Sequence, residues 1–335
     1  MCGASAAVRL SAALEPAGVG AYMPPLNSPG SPVTALDHST TEDIVAPFQI
    51  EEAPVRGRIA RLGGVIHEVL TRHAYPEPVA NLLGEACALA ALVGASLKFD
   101  GRLIVQAQGD GAVSLAVADY DTSGALRGYC RYDPDKVAEA SQGFLRPGAR
   151  SLLGKGVFTM TIDQGPEMDR YQGITPIEGE TLALCAETYF AQSEQTPTRV
   201  RLAVGQLSTD DGFVWRAGGL LIQNIAGDED ARGDSEEMWT RAQALFETVG
   251  EDELIDPTVP ADQLLWRLFH EDGVRLFRPK PLRAFCRCTP ERILGVLQSF
   301  PAEERVDMVE ADGMIRVTCE YCSRVYEVAP GDVDG

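Results

Sequence analysis

The sequence predicts an α+β protein in three parts: a mixed α/β domain, a helical connector of low stability, and a small cysteine-bearing C-terminal domain. Three observations predict it. Strand and helix patterns follow one another in mixed order from Phe48 to about Ala226, as in an α+β domain. Residues 227–273 then hold 14 acidic and 3 basic residues, a net of −11, within a chain of 335 residues whose formal net charge is −20. Four of the eight cysteines fall in the last 50 residues. The expected divisions are an extension at 1–47, the α+β domain at 48–226, the connector at 227–283 and the cysteine domain at 284–330.

Met1 to Pro47 is rich in Ala, Pro and Ser and is expected to be disordered. Arg9 interrupts its only apolar patch and no basic segment precedes that patch, which argues against a secretory signal. Met23, ahead of Pro24 and Pro25, is a candidate alternative start. From Phe48 the pattern becomes regular: Val55–Ile59 reads as a strand, and Leu62, Ile66, Val69 and Leu70 recur at helical spacing. Tyr75-Pro76-Glu77-Pro78 breaks that helix. Val79 to about Leu97 is dense in Ala and Leu and predicts a helix central to the core. Its apolar run, Ala86–Ala95, is about half of the ~20 residues needed to span a bilayer, so no transmembrane segment is expected. Leu103–Gln108 and Val113–Ala118 flank Gly109-Asp110-Gly111 and predict a hairpin. Further strands are expected at Ala125–Tyr132, Val157–Ile162, Arg199–Val204 and Gly219–Ile225, with a helical segment at Gly179–Gln195.

In the connector, Gly227–Gly233 reads as an acidic loop. Met238, Ala242, Leu245 and Phe246 then give one amphipathic helix. Leu264, Leu265, Leu268 and Phe269 give a second, over Pro260–His270. The apolar faces are small and the charge repels itself, so the segment should be only marginally stable unless it rests on a neighbouring domain.

The same charge disfavours nucleic acid and anionic membranes as partners. Catalytic signatures are not apparent. Gly-x-Ser-x-Gly is absent, no Ser/His/Asp set is evident, and His38, His67, His73 and His270 are scattered. Gly109-Asp110-Gly111 lacks the following helix and Lys of a phosphate loop. Arg170-Tyr171-Gln172-Gly173 and Ser193-Glu194-Gln195 read as turns or caps. No enzyme activity is expected. Without an export signal the compartment is expected to be a reducing cytoplasm, where clustered cysteines are more often metal ligands or redox groups than structural disulfides.

Cys286-Arg287-Cys288 is followed, after 30 residues, by Cys319-Glu320-Tyr321-Cys322. Two closely spaced thiol pairs on separate turns suit the tetrahedral four-sulfur coordination of Zn2+. Ile315, Val317 and Cys319 alternate, and Val325, Tyr326 and Val328 continue after Cys322, so the second pair should occupy the turn of a hairpin. Thr289 and Pro290 have the types of an N-cap and first residue of a helix, and Pro301 marks another. So short a domain has too little apolar mass for its own core, and metal would supply the difference, on the order of 10 kcal/mol. A purely structural zinc ribbon is one reading; a redox-sensitive site is the other, because zinc keeps thiols in their nucleophilic form and oxidation would eject the metal. Cys87, Cys130 and Cys185 lie in apolar segments and read as core, and Cys2 lies in the extension.

From about Phe48 to Val328 the sequence resembles the 33 kDa chaperonins, a family of redox-regulated heat-shock holdases. The motifs that carry the resemblance are Tyr75-Pro76-Glu77-Pro78-Val79, Leu97-Lys98-Phe99-Asp100-Gly101, Gln106-Ala107-Gln108-Gly109-Asp110-Gly111, Arg170-Tyr171-Gln172-Gly173, Ser193-Glu194-Gln195-Thr196-Pro197-Thr198, Leu265-Trp266-Arg267-Leu268 and the two cysteine pairs. The resemblance implies that Cys286, Cys288, Cys319 and Cys322 bind one Zn2+ when reduced. On oxidation it implies disulfides Cys286–Cys288 and Cys319–Cys322, zinc release and an unfolded connector. It further implies ATP-independent binding of aggregation-prone client proteins and a homodimer in the oxidised state. Thr289 stands where the family often has Ser, and either residue caps a helix. Two rival readings are a thiol-disulfide oxidoreductase, which turnover in insulin reduction would support, and a zinc-ribbon nucleic-acid binder, which salt-dependent retention on RNA would support.

Overall fold

In a computed structural model the described residues are 42–142, 146–165, 168–210, 212–225 and 232–334. The extension expected at 1–47 therefore lies outside the description up to residue 41, with Cys2 and His38, as does most of the expected loop at Gly227–Gly233. The chain runs β1 (Ile44–Ile50), β2 (Val55–Leu62), α1 (Gly64–Thr71), α2 (Glu77–Gly94), β3 (Arg102–Gly109), β4 (Val113–Asp121), β5 (Ala125–Tyr132), α3 (Pro134–Ala140), α4 (Ala149–Leu153), β6 (Gly156–Asp163), β7 (Tyr171–Pro176), α5 (Leu182–Tyr189), β8 (Thr198–Thr209) and β9 (Gly212–Asn224). The connector supplies α6 (Arg232–Phe246), α7 (Glu251–Ile255), α8 (Ala261–Phe269), β10 (Val274–Leu276), β11 (Lys280–Pro281) and β12 (Arg283–Ala284). The cysteine domain adds α9 (Pro290–Gln298), α10 (Ala302–Asp307), β13 (Ile315–Thr318), β14 (Val325–Val328) and α11 (Pro330–Asp334).

Two six-stranded sheets enclose α2. The first has the order β10-β1-β2-β9-β8, with β11 also on β1; the second has the order β12-β5-β4-β3-β6-β7. α2 lies against β3, β4 and β5 on one side and β2, β8 and β9 on the other. Its small side chains permit this double contact: Ala86, Cys87, Ala88, Leu89, Ala90, Ala91 and Leu92 are all buried. By length and composition α2 passes for a membrane span, but it is mostly buried inside the protein as a core helix. The expected mixed α+β architecture is present.

The first sheet is apolar on both faces. Away from α2, it presents Ala46, Phe48, Ile50, Ile59, Leu220 and Ile222, and the connector covers them with Ala242, Phe246, Val249, Leu254, Leu264, Leu265 and Phe269. The approach is close. A Cβ on Gly218 would lie 2.1 Å from the Leu254 carbonyl oxygen, so only glycine permits α7 to sit this near β9. The cysteine domain has a far smaller core, with Leu297, Ile315 and Val333 as its buried members.

Several expectations need correction. The strand β1 begins at Ile44, inside the expected extension, and pairs along its whole length with β2. Pro47 was no barrier because it lies opposite the gap between β10 and β11, where it interrupts no ladder on that side. Leu62 ends β2 rather than opening a helix, and α2 runs from Glu77 to Gly94. The segment Gly179–Gln195 is a helix capped by Thr181, followed by a π-helical turn at Phe190–Glu194. Tyr171–Gly173 belongs to a strand, not a turn. The connector is more than helical: β10 and β11 extend the first sheet and β12 pairs in parallel with β5 of the second.

Candidate metal centre

Cys286 and Cys288 follow β12 directly, and the chain then turns into α9. Thr289 caps that helix, its Oγ1 accepting from the Arg292 N–H at 3.3 Å, and Pro290 takes the first helical position. Cys319 and Cys322 occupy the turn between β13 and β14, as expected. Within it the Ser323 N–H donates to the Cys319 carbonyl at 2.9 Å, and Ser323 adopts a left-handed φ of 55°. Tyr326 Oη donates to the Cys288 carbonyl at 3.1 Å and ties the hairpin to the first cysteine pair.

The fold brings all four thiols together. Their Sγ atoms lie within 4.8 Å of one another, with Cys286 to Cys319 at 3.6 Å and Cys288 to Cys322 at 3.3 Å. Four sulfurs at about 2.3 Å from a tetrahedral zinc would be about 3.8 Å apart, so the donor set fits such an ion in number, chemistry and spacing. Both of these approaches run between the cysteine pairs. All four residues are half-buried. As free thiols they are not equivalent. Burial raises the Cys286 pKa, but hydrogen bonds from Cys288 and Arg127 outweigh it and bring it down to about 7. Burial pushes Cys322 up to about 12 and also raises Cys319.

The centre sits against the outer face of the second sheet. Asp119 of β4 and Arg127 of β5 are direct cross-strand partners. Arg127 donates to Asp119 Oδ2 from Nε at 3.1 Å and Nη2 at 2.8 Å, and its Nη1 reaches Cys286 Sγ at 3.8 Å. Arg287, between the first two cysteines, also donates to Asp119 Oδ2. Tyr321, between the second two, lies beneath the Arg127 guanidinium, 3.9 Å from ring centroid to Cζ. Glu320 accepts from Tyr129 Oη at 3.3 Å and Arg131 at 3.1 Å, and Ser323 Oγ lies 3.1 Å from His73 Nδ1. Burial is the main influence on His73 and lowers its pKa.

Sequence reasoning missed Asp119, Arg127 and His73. The two readable signals were an Arg inside C-x-C and an Asp following an apolar strand. The other cysteines are placed as expected: Cys87, Cys130 and Cys185 are buried in the core.

The fold and the cluster together define a class of protein: an α+β domain whose second apolar sheet face is covered by a connector leading into a small metal-ready four-thiol module. Comparison with known proteins specifies it further. Residues 43–329 match the family described as Hsp33 protein. The 33 kDa chaperonin of Caulobacter vibrioides is 71% identical over 296 residues, covering 88% of this chain and 98% of that protein. Its counterpart in Escherichia coli O7:K1 is 35% identical over 279 residues, covering 83% and 89%. The solved structure of the 33 kDa chaperonin from Thermotoga maritima, at 24% identity, superposes with a TM-score of 0.73 over 88% of this chain and 97% of that one, which shows a shared fold. The chain belongs to the Hsp33 family of chaperones.

Proposed function

We propose that this chaperone is a redox-controlled holdase that works without ATP, inactive when reduced and active when oxidised. The ligands of one Zn2+ in the reduced state are Cys286, Cys288, Cys319 and Cys322. Zinc, when bound, would hold the two thiol pairs in one tetrahedron and lend the module folding free energy, on the order of 10 kcal/mol. In the oxidised state Cys286 pairs with Cys288 and Cys319 with Cys322, as in the family's pattern. Each disulfide releases two protons and two electrons, which peroxide takes up to become two waters. A disulfide needs its sulfurs about 2.0 Å apart, so both pairs must leave the geometry described above.

The observation that carries this reading is the covering of the first sheet. The apolar face formed by Ala46, Phe48, Ile50, Ile59, Leu220 and Ile222 is covered by the connector. The connector in turn runs into Cys286 through β12. Loss of the module's fold would remove the connector's C-terminal anchor and leave its acidic helices held by sheet burial and the short β10 and β11 pairings alone. Opening would expose an apolar surface suited to unfolding client proteins. Clients are recognised by exposed apolar segments, and the oxidised form is expected to dimerise, in the cytoplasm, without nucleic acid or membrane partners.

The test follows zinc release, far-ultraviolet circular dichroism and light scattering of a thermally unfolding client during peroxide treatment. Zinc loss, loss of connector helicity and suppression of aggregation should occur together. Equal suppression by the reduced, zinc-loaded protein would overturn the redox control. Zinc loss with connector helicity retained would overturn the mechanism and leave the metal site standing.

A further inference from the structure

Three of the residues that dock the four-cysteine module onto the first domain lie between the thiols, with Ser323, just after them, reaching His73. Arg287 is enclosed by Cys286 and Cys288, and Glu320 and Tyr321 by Cys319 and Cys322. All three reach the outer face of β4 and β5: Arg287 to Asp119, Tyr321 to Arg127, and Glu320 to Tyr129 and Arg131. We infer that the Asp119–Arg127 pair is a receptor in the first domain that positions the module and thereby holds its four thiols in metal-binding geometry. The inference rests on the zinc reading above and adds to it a docking site outside the module.

The energetics favour a specific receptor over a loose contact. Asp119 is 3% exposed, and Arg127 and Arg287 are 17% and 18% exposed. Its Oδ1 is buried without a hydrogen-bond partner, while Oδ2 takes both guanidinium groups. Removing Asp119 from this cluster leaves Arg127 and Arg287 without their shared buried anion, with only the part-exposed Asp121, 3.7 Å from Arg287, to compensate them, which is costlier than losing a surface pair. Charge also matches at the sulfur end: a four-thiolate site remains negative with a dication bound, and Arg127 places a cation at Cys286. By contrast, the Arg131–Glu320 pair is exposed on both sides, at 59% and 57%, and should contribute little.

Docking and metal retention then favour each other reciprocally. When the thiols within a pair draw together, the residue they enclose must turn with the backbone, so Arg287 and Tyr321 leave Asp119 and Arg127. The receptor is thus released by the same movement that forms the disulfides.

The test uses the full-length reduced protein with zinc loaded, and compares wild type, Arg287→Gln, Asp119→Asn, the double variant and Glu320→Gln. Zinc affinity is measured by competition with a chelator, and zinc release is timed during peroxide treatment. Arg287→Gln and Asp119→Asn should each weaken zinc retention about ten- to a hundred-fold, as loss of an outer-shell partner does. The double variant should be no weaker than the worse single, and Glu320→Gln should match wild type. Additive effects in the double variant would overturn the inference, because Asp119 would then act only within its own sheet. Wild-type zinc affinity and release in Arg287→Gln would overturn it too, whatever the folding of Asp119→Asn. If wild type itself binds no zinc, the metal reading fails. Docking is then judged by amide exchange at residues 285–288 and 319–323, which should rise in Arg287→Gln; unchanged exchange there would overturn the receptor.

Discussion

Phe269→Ala should open the connector in the reduced, zinc-loaded protein. Phe269 ends α8, is fully buried, and stacks on Phe48 of β1 with ring centroids 5.9 Å apart. Over residues 235–269 the connector's other large buried side chains are Phe246, Val249, Leu254, Leu264, Leu265 and Leu268. At about 2 kcal/mol each, these seven side chains contribute a gross ~14 kcal/mol of burial, most of it offset by the cost of ordering the segment. Truncating a buried Phe to Ala costs about 3–5 kcal/mol, about a fifth to a third of that gross term. A segment at the low-stability end of a protein has only a few kcal/mol to lose before it opens. Native-state amide exchange over residues 235–276 reads this directly, with zinc content measured alongside. Protection should fall by about two orders of magnitude or more, since each factor of ten is about 1.4 kcal/mol, while zinc stays bound. Unchanged protection in the connector of a folded, zinc-loaded variant would mean that sheet burial is not what holds it closed.

Gly218→Ala should act on the same interface from the sheet side: its Cβ would collide with the Leu254 carbonyl, displacing α7 at a cost of about 1–3 kcal/mol, read as a lowered midpoint of denaturant unfolding. An unchanged midpoint would show that α7 moves freely. Cys322→Ser should lower zinc content and unfold residues 290–328, because Leu297, Ile315 and Val333 are too small a core to hold the module; exchange protection persisting there without metal would contradict this. Glu85, half-buried on α2, has its pKa raised to about 7 by burial first and by the Glu251 carboxylate, against the Leu182 N–H and Arg146. The folded state therefore holds this proton more tightly than the unfolded state, so the group favours folding fully below its ordinary value of 4.5, and that advantage is lost as pH rises through about 7. Glu85→Gln should gain about 2 kcal/mol over wild type at about pH 8 and little at about pH 5, after allowance for solvent screening. An equal difference at both pH values would refute the assignment.

The sequence was most legible where one residue type has one structural use. Gly109-Asp110-Gly111 marked the β3–β4 hairpin, and Thr289-Pro290 marked the start of α9. The alternation around Cys319 and Cys322 marked their turn, and the four thiols were found because cysteine spacing is itself a geometric statement. Legibility failed where partners are distant in sequence. β10, β11 and β12 are two or three residues long and exist only because β1 and β5 offer open edges. β1 was curtailed at Pro47 because the gap that makes proline harmless lies more than 200 residues away in sequence. The strand at β4 was read only to Ala118, since Asp119 ends the apolar alternation; its burial depends on Arg127 and Arg287, and no local pattern encodes that.

Under the proposed switch, residues 274–284 would let a small module govern a large interface. β10 and β11 bind the connector's end to the first sheet, and β12 binds it to the second, two residues before Cys286. β12 is held by the Arg283 N–H to the Gly124 carbonyl at 2.9 Å and the Phe285 N–H to the Leu126 carbonyl at 3.1 Å. Bonds of this kind are worth about 1 kcal/mol each in net terms, far less than a structural metal site. With zinc bound as proposed, a weak joint in the chain of contacts would lie beside the strongest one. While the module is folded and docked on Asp119 and Arg127, β12 is pinned from both sides. Should the module let go, that short strand would keep only these two bonds, and β11, β10 and then α8 with Phe269 lie next in line along the chain.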